Sequence, residues 1–201
     1  MSGRIKKSNP KIRCTATNYR RLALPYLKKD FENRCAYSMI HVVLAGGETC
    51  MEVDHFKPKN KPSKKTHSYK NLMLASRHCN SAKGEEWPNA KLRKQGFEFI
   101  NPCEEMDYGK HIFENIETGK LVPATPKGAY QINKCMLNAD HLVTQRKQRT
   151  ELLNLLKSTK PISLPNDIQM NEAKIKLKTL INNIENFKER YIPYIPPLPK
   201  K

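Results

Sequence analysis

The chain has few glycines and no long apolar segment. Only 8 of its 201 residues are glycine, and 14 prolines are spread along it. These counts exclude a collagen-like triple helix and a long uninterrupted coiled coil. The longest apolar stretch, residues 39–45, has seven residues and includes His41. A membrane helix needs about 20 apolar residues, so we expect no membrane partner. The N-terminal sequence MSGRIKKSNPKIRC has no apolar segment of the kind found in secretion signals, so we expect a cytoplasmic protein.

Acidic residues are scarce relative to basic ones. The sequence has 19 Asp and Glu against 37 Lys and Arg, which gives a net charge of +18. Such a surplus predicts a polyanionic partner, and nucleic acid is favoured over a membrane surface. The basic residues are concentrated in segment 1–34 and in segment 55–70, which holds six lysines and no acid.

None of the six cysteines forms a C-x-x-C pair with another. An intact zinc ribbon or thioredoxin-like motif is therefore excluded. We expect the cysteines to be reduced thiols, most of them packing residues.

The spacing of apolar and turn residues predicts a mixture of helices and short strands. A helix is predicted over 18–33, and a hairpin is predicted from strands at 39–44 and 49–53. A short strand over 72–74 leads into a helix near 76–83, which Gly84 would end.

The second half of the chain reads as a hairpin followed by helices. The hairpin is predicted within 97–125, where apolar and polar residues alternate and the sequence ETGK supplies a turn. Helical patterns follow from 128 onward, interrupted near Leu137 and Asn138, with helices over 139–158 and 166–190. The proline-rich end, YIPYIPPLPKK, is predicted to be an extended polyproline-type segment.

One block of polar residues supplies the parts needed to hydrolyse a phosphodiester. Asp54 is a hard oxygen ligand suited to Mg²⁺, and in an extended backbone His55 points to the opposite side, where it could act as a general base. Asn80, near the start of a helix, could give the same ion a second oxygen. Asn71 could fix the loop or the imidazole, and Lys83 could contact phosphate.

These residues resemble the signature of the HNH endonucleases. The sequence reads DHFKP at 54–58, NL at 71–72 and CNSAKG at 79–84. The resemblance implies an α+β fold with a ββα-metal core around one divalent ion, Mg²⁺ or Mn²⁺. It also implies that Asp54 and Asn80 are metal ligands, that His55 is the general base and that Asn71 is the middle residue that orients the loop.

Many HNH proteins also carry two C-x-x-C knuckles that bind a structural zinc, and this chain departs from that pattern. Cys35 and Cys79 are kept, but Ser38 and Ser76 stand at the other two knuckle positions. Serine is a poor zinc ligand. We therefore expect no tight zinc site and a small metal-free core formed by these four residues.

A longer resemblance extends beyond the nuclease motif. The basic arm, the sequence RCAY at 34–37, NPCEE at 101–105 and LN at 137–138 are similar to HNH nucleases of Septu-type and retron-associated anti-phage systems. In those systems the nuclease works beside an ABC-like ATPase. The resemblance implies such a partner here, together with a retron reverse transcriptase and its nucleic acid, and it implies docking through the C-terminal helices and tail.

Taken together, the sequence predicts a metal-dependent HNH endonuclease with an α+β fold. The ββα core would be extended by a hairpin and by N- and C-terminal helices. Four segments are expected: 1–33, 34–96, 97–138 and 139–201. DNA is the default substrate, with RNA, including tRNA, as an alternative. A non-catalytic nucleic-acid-binding subunit is the other hypothesis.

The remaining basic residues and histidines are assigned more simply. Backbone phosphates would be held by Lys83 and by four lysines of the 55–70 segment: Lys57, Lys59, Lys64 and Lys65. Four histidines have no motif around them and are interpreted as ordinary core or surface residues: His41, His67, His111 and His141.

Overall fold

The computed structural model describes residues 5–61, 65–104, 106–107, 109–158 and 195–199. It combines helices with two small antiparallel sheets, which confirms the α+β class. In chain order the elements are α1 (Tyr19–Asp30), β1 (Met51–His55), β2 (Leu72–Ser76), α2 (Arg77–Lys83), α3 (Ala90–Lys94), β3 (Ile112–Glu114), β4 (Leu121–Pro123), α4 (Pro126–Lys134) and α5 (Asp140–Ser158).

The first sheet and the helix after it form the centre of the fold. Strands β1 and β2 pair antiparallel, with Asp54 opposite Met73 and His55 opposite Leu72. Helix α2 follows β2 without a loop. The Ser76 side chain caps it by accepting from the Cys79 N–H, and Gly84 ends it with a φ of 51°. The predicted strand at 72–74 and the helix ending at Gly84 are therefore confirmed.

The hairpin predicted from 39–44 and 49–53 is wrong. Its second half is β1, but β1 pairs with β2, while residues 39–44 lie in turns apart from a single bridge between Arg34 and His41. The backbone of this segment is satisfied locally: the Cys35 N–H donates to the Ile40 carbonyl, and the Gly47 N–H donates to the Val42 carbonyl. The segment was predicted as a strand because its residues are apolar and β-branched, a composition that does not distinguish a strand from compact turns.

The helix predicted over 18–33 forms as α1 and covers one face of the sheet. Its buried residues Tyr19, Ala23 and Leu27 recur every fourth position, so they lie on one side of the helix and face β1 and β2. Pro25 lies inside α1 and cannot donate a backbone hydrogen bond there. Because this face of α1 packs against β1, it brings side chains of α1 close to His55.

The second half of the described chain partly confirms the prediction. Strands β3 and β4 form the expected hairpin around the ETGK turn, but residues 97–100 are not a strand. Helices α4 and α5 are separated near Leu137, as expected, where Met136 has a φ of 48°. Residues 195–199 run beside β3, with the Glu114 N–H donating to the Pro196 carbonyl. The helix predicted over 166–190 lies outside the described residues.

One hydrophobic core joins residues from the three segments that precede 139. Phe31, Tyr37, Leu74, Phe99 and Leu137 are all buried in it. The segment boundaries proposed from sequence remain a prediction. Among the described helices, none is both long enough and apolar enough to cross a membrane.

Candidate active site

Among the polar contacts that connect β1 to α2, two lie side by side. The Lys83 ammonium lies 3.0 Å from an Asp54 carboxylate oxygen, and the Asn80 amide nitrogen donates to Glu52 at 2.5 Å. Residues 52 and 54 share a strand face because side chains alternate, and residues 80 and 83 share a helix face. The strand and the helix therefore bring Asp54 and Asn80 to the same groove, each with a different partner.

Asp54 is buried in this groove and makes two strong contacts. Its carboxylate accepts from the Tyr37 hydroxyl and from Lys83, whose ammonium also donates to the His55 carbonyl at 3.0 Å. Burial raises the pKa of Asp54, while the Lys83 charge and the Tyr37 hydrogen bond oppose that rise. Burial and the neighbouring Asp54 also raise the pKa of Tyr37 well above its usual value, so its hydroxyl remains a donor.

His55 projects from the opposite face of β1, as an extended backbone requires. Its ring meets Tyr19 of α1 edge-on, with ring centroids 4.7 Å apart, and its Nε2 lies 3.0 Å from His67 Nδ1. Burial lowers the pKa of His55 to about 4, and the nearby charges of Lys59 and Lys83 act in the same direction. At neutral pH the imidazole is therefore uncharged, and the same shift makes it a weaker base than a free imidazole.

Asn71 spans the loop that joins β1 to β2. Its amide oxygen accepts from the Lys57 N–H at 2.9 Å, and its amide nitrogen donates to the carbonyls of Lys57 and Thr66 at 3.0 and 2.8 Å. All of its amide contacts are to backbone. Asn71 thus holds both ends of the loop together, close to where the chain reaches His67.

The donor chemistry of the groove fits a hard divalent ion. The possible metal ligands here are all oxygens, from the carboxylates of Asp54 and Glu52 and the side-chain amide of Asn80. The Asn80 amide oxygen accepts no hydrogen bond within the described part of the chain. An ion bound to Asp54 must share or displace the contact with Lys83. No group of three or more His, Cys, Asp or Glu side chains arranged to hold a metal occurs among the described residues, so the fit rests on the mixed carboxylate and amide set.

The predicted phosphate-binding lysines differ in their exposure. Lys57, Lys59 and Lys65 are exposed, whereas the Lys83 side chain is 0% exposed and its ammonium is directed at Asp54. Lys64 lies outside the described residues. A contact between Lys83 and phosphate would therefore require the ammonium to leave the carboxylate.

Two cations lie on the His55 side of β1: Lys59 and Arg20. The Lys59 ammonium lies 5.0 Å from the centroid of the Tyr19 ring, and Arg20 Nε donates to the Tyr19 hydroxyl at 3.1 Å. Arg20 belongs to α1, so the N-terminal helix contributes a positive charge to the His55 face. Arg20 was not predicted as a site residue, because nothing in its local sequence pattern separates it from the other basic residues of the first segment.

Three further residues of the site were missed from the sequence. Glu52 could have been found, because it shares a strand face with Asp54 two residues away. Tyr37 and His67 had no such signal, since the fold brings them to Asp54 and His55 from distant positions. His67, which the sequence interpretation treats as an ordinary core or surface residue, lies with its Nδ1 3.0 Å from His55 Nε2.

The four residues at the knuckle positions cluster as expected. Cys35, Ser38, Ser76 and Cys79 are all buried, and the Cys79 thiol donates a hydrogen bond to Cys35. Burial raises the pKa of Cys35, but the hydrogen bonds from Cys79 and Ser38 outweigh burial and lower it overall. The hydrogen bond to Cys35 and burial raise the pKa of Cys79 well above its usual value. Without a metal ion, Cys79 therefore stays a thiol that donates to Cys35.

Purified protein is expected to contain far less than one zinc per chain. A tight structural zinc site is built from four sulfur or imidazole ligands, and this cluster offers only two sulfurs beside two hydroxyls. The measurement is elemental analysis of the purified protein before any chelator is added, followed by dialysis against EDTA with Tm recorded before and after. Stoichiometric zinc, or a large fall in Tm on chelation, would contradict a metal-free core.

The region that contains these residues matches a known family. Residues 34–86 match the family model of the HNH endonuclease, which is roughly a quarter of the chain. This match covers β1, β2 and α2 and supports a nuclease domain there. No curated protein matches the chain in sequence.

Proposed function

We propose that this protein is a metal-dependent endonuclease that hydrolyses phosphodiester bonds in nucleic acid. The observation that carries the proposal is the placement of adjacent residues on opposite faces of β1, within the region that matches the HNH family. Asp54 faces the oxygen-rich groove against α2, and His55 faces a cluster of cations on the other side. One strand thus presents a metal ligand and a neutral base together.

The roles of the residues follow from their chemistry. His55 accepts a proton from the attacking water, which suits its uncharged imidazole. Asp54 and Asn80, with Glu52 beside them, would hold the divalent ion, which would supply stabilisation of the negative charge that develops during hydrolysis. Lys57, Lys59 and Lys65 would hold the substrate backbone by neutralising phosphates.

DNA is the proposed substrate, and RNA is the alternative. The net charge of +18 supports a polyanionic substrate but does not distinguish the two. The described site contains a base, oxygen ligands and cations, all of which act on phosphate. The preference for deoxyribose or ribose must therefore be measured.

The test is a cleavage assay on matched DNA and RNA substrates with Mg²⁺, with Mn²⁺ and without a divalent ion. We expect cleavage only when an ion is added. Asn80→Ala should lower the rate at least about 10-fold at limiting Mg²⁺, because the ion loses an oxygen ligand. Ser81→Ala is the matched control, because Ser81 is exposed on the same helix. This variant should cleave like wild type.

Three results would contradict or redirect the proposal. Cleavage that persists in EDTA would contradict metal dependence. Equal rates for Asn80→Ala and wild type would remove Asn80 from the ligand set. Cleavage of RNA alone would replace DNA as the substrate.

A non-catalytic nucleic-acid-binding subunit is the second candidate. The buried pairing of Asp54 with Lys83 favours it, because that carboxylate already has a cationic partner. A chain that binds DNA but cleaves neither substrate with any divalent ion would support this reading.

We also propose a role as an effector of anti-phage defence in the cytoplasm. The support is the resemblance of the longer sequence pattern to nucleases of Septu-type and retron-associated systems. An ABC-like ATPase and a retron reverse transcriptase with its nucleic acid are the proposed partners. The C-terminal residues proposed to dock them lie mostly outside the described part of the chain.

A further inference from the structure

A ring nitrogen of His67 lies at hydrogen-bonding distance from a ring nitrogen of His55. Its Nδ1 lies 3.0 Å from His55 Nε2, and the two rings are nearly perpendicular, with an interplanar angle of 79°. The His67 ring also stacks on Tyr19, with ring centroids 5.6 Å apart. Three aromatic rings from α1, β1 and the connecting loop are therefore in mutual contact.

This hydrogen bond restricts the tautomer of His55. A neutral imidazole carries one proton, and only one of the two facing nitrogens can donate. If His55 Nε2 donates, its Nδ1 keeps a free lone pair. If His67 Nδ1 donates instead, the proton of His55 sits on Nδ1 and the ring has no nitrogen left to receive a proton from water. No described residue donates to His55 Nδ1, so the lone pair of that nitrogen is not used within the described part of the chain.

We propose that His67 is a positioning residue that accepts the His55 Nε2 proton and thereby keeps His55 Nδ1 free to take a proton from water. This inference rests on the proposed nuclease function. His67 touches neither the metal groove nor any group that must coordinate an ion. Its effect passes through the orientation and tautomer of the neighbouring imidazole, as the partners of catalytic histidines generally act.

The loop between β1 and β2 is built to hold His67 in place. Asn71 donates to the Thr66 carbonyl, immediately before His67, while it also binds the backbone of Lys57 just after β1. The Lys7 ammonium holds the end of the same loop through the carbonyls of Tyr69 and Lys70, at 3.1 and 3.0 Å. These anchors fix the backbone on both sides of His67, so its ring has a defined orientation.

Two substitutions separate the hydrogen bond from the ring contact. His67→Asn can keep an acceptor near the position of Nδ1 but loses the ring. His67→Phe keeps a ring that can stack on Tyr19 but has no acceptor. We expect His67→Phe to lower kcat about 10-fold to 100-fold with KM little changed, and His67→Asn to stay within several-fold of wild type.

A spectroscopic readout tests the inference without relying on cleavage. Two-bond ¹⁵N–¹H correlation spectra report the protonated nitrogen of each histidine, and the His55 signals are assigned by their absence in His55→Ala. We expect His55 in wild type and in His67→Asn to carry its proton on Nε2, and His67→Phe to show a mixture of tautomers. The spectra also show directly whether each variant is folded.

The outcomes distinguish this inference from the proposed function. A wild-type His55 protonated on Nδ1 would overturn the inference, as would equal kcat for His67→Phe and wild type. Equal losses in His67→Asn and His67→Phe would also overturn it, because keeping the acceptor would then confer no advantage, and a loss in His67→Asn alone would show that the ring contact is what matters. If wild type cleaves nothing, the nuclease proposal fails, and the tautomer measurement still decides whether His67 fixes His55.

Discussion

Replacing His55 by alanine is expected to lower the rate of phosphodiester cleavage by about 100-fold to 10,000-fold. The reason is that the substitution removes the group that we propose as the acceptor of the proton of the attacking water. The groove formed by Asp54, Glu52 and Asn80 lies on the other face of β1 and should keep its affinity for the divalent ion. Single-turnover cleavage at saturating Mg²⁺ measures this effect without interference from product release.

His141→Ala is the matched control for this substitution. His141 is an exposed histidine on α5, whose ring contacts His78 and not His55. It should cleave at the wild-type rate. The loss of cleavage in His55→Ala, prepared in the same way, would then exclude a contaminating nuclease that copurifies equally with every variant. Affinity for DNA, measured in EDTA, should be nearly the same in both variants and wild type. If His55→Ala cleaved as fast as wild type, His55 would not be the base.

Short-range rules predicted the elements that present the active residues. The alternation of side chains along a strand placed Asp54 and His55 on opposite faces. A predicted start near residue 76 and a glycine stop bounded α2 from the sequence alone, which located Asn80 and Lys83 on that helix, and the structure adds the Ser76 cap. These features depend on a few neighbouring residues, so the sequence contains all the information needed to infer them.

Pairings between distant segments were harder to infer. The run at 39–44 has strand-like composition, yet β1 pairs with β2, seventeen or more positions along the chain. The backbone of this run is instead hydrogen-bonded to nearby residues, such as Cys35 and Gly47, that flank it. The approach of His67 to His55 has the same origin, because no sequence period relates two residues joined by an irregular loop. Contacts of this kind between residues distant in sequence, made through irregular loops, leave no local pattern from which they could be predicted.

The direction of a long flexible side chain was also beyond prediction. A lysine three residues after Asn80 can extend toward solvent or fold back over the strand, and local spacing does not choose between them. Burial decides the outcome: Lys83 is 1% exposed, and its ammonium lies within 5.6 and 5.8 Å of the ring centroids of Phe99 and Tyr37. The surrounding aromatic core therefore fixes the ammonium against Asp54.

Lys83→Met is expected to lower the free energy of unfolding by about 3–5 kcal/mol, because it leaves the Asp54 carboxylate buried without its cation. The measurement is urea unfolding followed by circular dichroism at constant pH. The double variant Lys83→Met/Asp54→Asn should cost less than the sum of the two single substitutions, since neither charge is then left unpaired. Lys91→Met, an exposed lysine on α3, is the control and should change stability by less than about 0.5 kcal/mol.

The same variant decides between two roles for Lys83. If the ammonium contacts phosphate, Lys83→Met should reduce the slope of log affinity against log salt by about 0.9 for duplex DNA, with little loss of stability. If it is the buried partner of Asp54, stability should fall and the salt slope should stay unchanged. We expect the second pattern, because the side chain is 0% exposed and bonds both the carboxylate and the His55 carbonyl. A stable variant with a reduced salt slope would show that Lys83 leaves Asp54 when nucleic acid binds, which would free that carboxylate for an ion.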